Sequence, residues 1–138
     1  MTDRDPAHQL AEALAEFERE SDAPADGARL DRILVPLGEL LLEGTLNGLA
    51  QTIQHVRGLI DPRRTAWEQV ALDRAAESVR EHLARLDDDA TPPPTLIAGR
   101  TALEARWVAT EALELSADTE LRATLEASDA RLEERLGS

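Results

Sequence analysis

Nowhere in this chain do apolar and polar residues alternate as a half-buried strand requires. Leucines and alanines return instead every three or four positions, the spacing that stacks side chains on one face of a helix. The residue types agree. Leu and Ala favour helices, whereas the aromatic residues that strands favour are scarce, with one Phe, two Trp and no Tyr in 138 residues. Apolar residues make up 42 % of the chain, enough for one real core at this length. The reading is all-α: an antiparallel bundle of four main helices plus a C-terminal helix, in a single domain over residues 1–138.

The first helix is expected over Pro6–Glu20, with Asp5 as N-cap and Leu10, Leu14 and Phe17 as its apolar stripe. From Arg29 to Ile60, Leu30, Ile33, Leu34, Leu37, Leu41, Gly48, Thr52, Val56 and Leu59 share one broad arc of a helical wheel. An arc that wide predicts a helix packed against two or more neighbours, kinked or restarted at Pro36. Gly44 and Gly48, four apart on the buried side, predict a homodimer seam, a tight crossing inside the monomer, or a break near Gly44. Asp61-Pro62 opens a third helix to about Leu86, striped by Trp67, Ala71, Ala75, Val79, Leu83 and Leu86. Asp87, Asp88 and Asp89 end it, because carboxylates oppose the negative end of the helix dipole. Thr91-Pro92-Pro93-Pro94 predicts extended polyproline conformation, which makes 87–95 a flexible acidic, Pro-rich linker. A fourth helix starts near Thr95 or Leu96 and breaks at Ser116-Ala117-Asp118-Thr119, since Ser and Asp favour caps over helix interiors. The last helix carries a thin stripe of Leu121, Leu125, Leu132 and Leu136, suited to a two-helix seam.

All 15 basic residues are arginine, against 28 Asp and Glu, for a formal net charge of −13. Such a chain repels itself in dilute buffer and is screened in brine, where the Debye length falls to ~3 Å near 1 M. Two origins give this composition: adaptation to salt, and a GC-rich genome that writes Arg and Ala codons in place of Lys. Net acidity argues against nucleic-acid binding, which draws most of its affinity from clustered cations on phosphate. There is no cysteine, hence no disulfide and no thiolate chemistry. The polar N-terminus has no apolar signal region behind it, and Glu39, Glu43, Gln51, Gln54 and His55 interrupt the most apolar stretch. The expectation is a cytoplasmic chain without a membrane span.

Few residues are placed for chemistry. His8 lies in the first turn of a surface helix. His55 falls within the apolar arc and His82 at the edge of its stripe. Each reads as a core histidine bonded to a backbone carbonyl, with ligand or proton-shuttle roles as alternatives. No Glu-x-x-His pair of the di-iron bundles occurs. Arg100, Glu104, Trp107 and Glu111 follow one stripe, which reads as an acidic pocket walled by Trp107 or as an Arg100–Glu104 pair at a wet bundle edge. Glu111-x-x-Glu114 and Glu126-x-x-Asp129 could face each other on antiparallel helices and hold Mg²⁺. That spacing resembles the all-α nucleotide pyrophosphohydrolases over residues 111–129. The gap is slightly shorter than in that family, and its basic, aromatic and Gly-containing surroundings are missing. Arg63 and Arg64, beside the free N–H groups of a helix start, read as paired with Asp61 or an acidic face of the bundle, with an anion site for phosphate or a partner's carboxylates as the alternative.

The primary expectation is therefore a non-catalytic helical interaction or assembly module, with no cofactor and a protein partner, a second copy of itself first. Its contact residues would be Gly44, Gly48, Trp67, Trp107, Leu121, Leu125 and Leu132. The alternative is a Mg²⁺-dependent, pyrophosphohydrolase-like enzyme using Glu111, Glu114, Glu126 and Asp129.

Overall fold

The computed structural model describes residues 5–20, 22–44 and 48–137. Among them are six α-helices and no strand: α1 (Pro6–Arg19), α2 (Gly27–Leu42), α3 (Leu49–Ile60), α4 (Arg64–Asp87), α5 (Pro93–Ala112) and α6 (Thr119–Gly137). A 3-10 turn, Asp61–Arg63, leads into α4. The chain is all-α as expected, with one helix more. None of these helices is long and apolar enough to cross a membrane.

Aspartates start three of the helices. Asp5 accepts from the His8 N–H at 2.8 Å, Asp26 from the Ala28 N–H at 3.0 Å and Asp118 from the Leu121 N–H at 3.1 Å, each answering a donor that the first helical turn leaves open. The expected helix from Arg29 to Ile60 is divided between α2 and α3. Gly44 and Gly48 have φ of 77° and 80°, a left-handed conformation that glycine takes without steric penalty. They bound the break, which is one of the alternatives expected there, and no neighbouring helix among the described residues comes within 4 Å of where a Cβ would sit on either, so the tight crossing inside the monomer is not formed. Residues 45–47 fall outside the described set.

The close approach occurs one helix earlier. A Cβ on Gly38 would lie 2.1 Å from the Ala105 carbonyl oxygen, so α2 and α5 touch backbone to backbone. This crossing anchors the larger core, in which Leu30, Ile33, Leu34 and Leu37 of α2 meet Leu10 and Phe17 of α1, Val56 and Ile60 of α3, Trp67 and Ala71 of α4, and Ala109 of α5. Helix α5 is buried on two sides. Leu103 and Ala105 are about 200° apart round the helix at ~100° per residue; Ala105 meets α2, while Leu103 packs with Val79 of α4 and Leu125 of α6. A second small cluster joins Leu86 of α4, Leu96 of α5 and Leu132 of α6. These pairings run α5 antiparallel to both α4 and α6.

The turn between α4 and α5 corrects a second expectation. Pro92 is extended (φ −74°, ψ 151°) and is the N-cap of α5, while Pro93 and Pro94 lie inside its first turn. Proline gives up nothing there, because first-turn N–H groups have no intrahelical acceptor. Hydrogen bonds cross this turn: the Asp88 carboxylate accepts from the Ala90 N–H at 2.9 Å, and Arg135 donates to the carbonyls of Leu86 and Thr91 at 2.7 Å each.

Candidate functional site

Helices α5 and α6 face each other through a ladder of ions. Arg100 holds Asp129 with both sides of its fork, Nε to Oδ1 at 2.7 Å and Nη2 to Oδ2 at 3.1 Å, and reaches Glu104 one turn on at 3.1 Å. Arg122 holds Glu104 from the opposite helix at 2.9 and 3.1 Å and meets Glu126 at 3.3 Å. The Arg122 guanidinium also lies 5.0 Å from the centre of the Trp107 ring. The Arg122 hydrogen bonds, and then those from Arg100, hold the Glu104 carboxyl below its ordinary value against the opposing effect of burial. The fork on Asp129 in turn raises Arg100. Of the two readings of this stripe, the Arg100–Glu104 pair is the one formed, enlarged by two partners from α6.

The same antiparallel register separates the carboxylates expected to hold Mg²⁺. Position 100 pairs with 129 and 104 with 122, so Glu111 and Glu114 fall beyond the segment that faces Glu126 and Asp129. Glu114, at φ 58° just past α5, instead pairs with Arg57 at 3.0 Å. Among the described residues no three His, Asp or Glu side chains gather as a metal-binding group. The candidate anion pair is engaged as well. Arg63 donates to the carbonyls of Asp22 and Ala23, and Arg64 holds Asp61 at 2.6 and 3.0 Å and the Glu114 carbonyl at 2.9 Å.

Most expected contact residues point inward. Trp67 is 2 % exposed and packs on Phe17 with ring centres 5.0 Å apart, under the Arg29 guanidinium. Leu125 and Leu132 are buried against α4 and α5, Leu121 is half-buried beside them, and Trp107 is half-buried under Arg122. His55, placed by its periodicity in the core, is exposed and pairs with Glu18 of α1 at 3.0 Å. His82 is buried but bonds to no carbonyl.

Among several open hollows on the described residues, a groove of about 450 Å³ lies where the end of α2 meets α5 and α6. Its apolar lining is Leu42, 43 % exposed, Leu136, 41 % exposed, and buried Leu132; Arg100, Thr101, Glu104, Asp129 and Glu133 complete it. Leu42 was legible in one respect: it closes the run Leu40-Leu41-Leu42, and three successive leucines cannot all face one core. A half-buried ion cluster also escaped the periodicity. Asp31 of α2 lies 2.8 Å from Arg106 of α5 and 3.1 Å from Nε of Arg74 of α4, tying three helices through one carboxylate. Comparison with known proteins finds no matching family model, curated protein or solved structure for this chain.

Proposed function

We propose that this chain is a non-catalytic helical interaction module whose contact surface is the groove between α2, α5 and α6. Its partner is an amphipathic helix of another protein that presents leucine-like residues flanked by basic ones. The reading is carried by the convergence of Leu42 and Leu136 on one groove. Single exposed leucines are ordinary on a protein surface, but two around a common concavity, above a third, make the shape that receives a partner's apolar side chain. Charge selects the partner. Arg100 and Arg122 hold Glu104 and Asp129, which leaves Glu133 on the rim, and on a chain of net charge −13 an approaching basic helix is attracted and a second copy of the chain is repelled.

The test uses two synthetic helices with the same leucine stripe, one with arginines and one with glutamates on its polar face. Titration by fluorescence anisotropy is expected to show binding of the arginine peptide alone. Leu42→Glu together with Leu136→Glu should abolish that binding while leaving the helical circular dichroism unchanged. Binding that survives both substitutions would move the site elsewhere. If light scattering shows the chain doubling its mass with concentration, and the same substitutions prevent it, the occupant is a second copy.

A further inference from the structure

Beneath the α5–α6 ladder lies a titratable group that the proposed binding surface does not use. His82 is 1 % exposed, and neither of its ring nitrogens has a hydrogen-bond partner. A neutral imidazole carries one donor and one acceptor, and an imidazolium carries two donors, so burial without partners tolerates the first poorly and the second worse. On α4 the ring sits between Val79 and Leu86, one turn away on either side, and both of those residues pack on leucines of α5 and α6. On the α5 side a Cβ on Gly99 would lie 3.5 Å from Nδ1 of His82. The charged groups facing the ring are Arg85 on its own helix, Arg100 on α5 and Asp129 on α6. The one carboxylate among them is already held by the Arg100 fork.

We infer that α6 is an acid-released latch: when the buried His82 imidazole takes up a proton, α6 leaves α4 and α5 while the α1–α2–α5 core stays folded. A new cation beside Arg85 and Arg100 has to reach water or a free carboxylate, and α6 is the element that can yield. Its buried side chains are Leu125, Ser128 and Leu132, whereas α2 alone buries seven residues. Burial first, then Arg100 and Arg85, hold the imidazole below the ordinary histidine value, with Asp129 pulling the other way. The sign follows from linkage. The undocked, hydrated His82 binds a proton more readily than the docked one. Docking is therefore undiminished above pH ~6.5 and weakens as pH falls from there through the lowered docked value.

This inference is independent of the partner proposal, because its readout is the chain alone. Amide-exchange protection factors are measured helix by helix, with the histidine ring C–H signals followed by NMR over the same pH series. Protection in α6 is expected to fall by up to tenfold per pH unit below pH ~6.5, above the range near pH ~4 where carboxylates titrate. Protection in α1 and α2 should hold. The His82 signal should titrate below the ordinary histidine value, together with the loss of α6 protection. In His82→Leu, α6 should stay protected across the window. The latch is overturned if α6 protection does not change, if it falls equally in His82→Leu, or if all helices lose protection together. Should His82→Leu not fold, the wild-type chain decides: a His82 midpoint separated from the α6 transition sinks the inference.

Discussion

The two ends of this molecule are built from the same leucines and arginines and held together by different physics. At one end α1, α2, α3, the start of α4 and the end of α5 converge, so that side chains from five helices fill a single apolar core. At the other, the end of α4, the start of α5 and α6 share two leucine clusters, and much of the remaining contact is ionic. Apolar burial is indifferent to pH, whereas a seam with a paired ladder and an unpartnered imidazole is not. Convergence of several stripes makes a core; one narrow stripe makes a seam that can open.

That contrast can be broken by substitution. The largest effect is expected from Leu34→Ala in the core, a loss of about 4 kcal/mol from cavity formation at a fully buried leucine. It should appear as a lower urea midpoint for every helix at once. Leu125→Ala removes a comparable side chain from the seam, about 3 kcal/mol by the same principle. Its effect should be confined to α6, as lost exchange protection there with the α2 amides unchanged; a uniform loss would mean that the two ends unfold as one. Glu104→Gln weakens two charged hydrogen-bond sets and should cost about 2 kcal/mol of α6 docking at neutral pH. The docked Glu104 value is depressed, so its contribution is present above the unfolded value of ~4.3 and lost as pH falls below it. The variant should therefore lose that acid limb and keep the one near pH ~6.5. Asp87→Asn breaks an exposed pair with Arg131 and should change the melting free energy by less than ~0.5 kcal/mol.

How much of this could be read from the chain depends on how far each signal reaches. The Asp5 cap, the break before Thr119 and the helical class are local, and they stand. The single wheel drawn from Arg29 to Ile60 holds only to Leu42, and the break near Gly44 offered beside it is the alternative realised, bounded by two left-handed glycines. Past Gly48 the interior falls to Leu49, Val56 and Ile60, and His55 turns outward. The three prolines were ambiguous for a chemical reason. A missing N–H suits polyproline conformation and the first turn of a helix alike. The carboxylate pairs had the right spacing within each helix, but their meeting depended on inter-helix register. That register is fixed by the 96–132 and 103–125 leucine contacts, which no local pattern encodes. Trp67 shows the same limit, since a stripe marks which face is apolar without saying whether a neighbour or water covers it.

Arg135 extends this dependence to the end of the chain. From the last turn of α6 it reaches across to the Leu86 carbonyl at the end of α4 and to the Thr91 carbonyl in the bend before α5. A fork of five donors can grip two separate oxygens at once, which a lysine's rotating ammonium does with far less directional control. The corner between α4 and α5 thus takes its finished shape from a residue made some forty positions later. On an emerging chain that bend stays unclamped until Arg135 itself has left the ribosome.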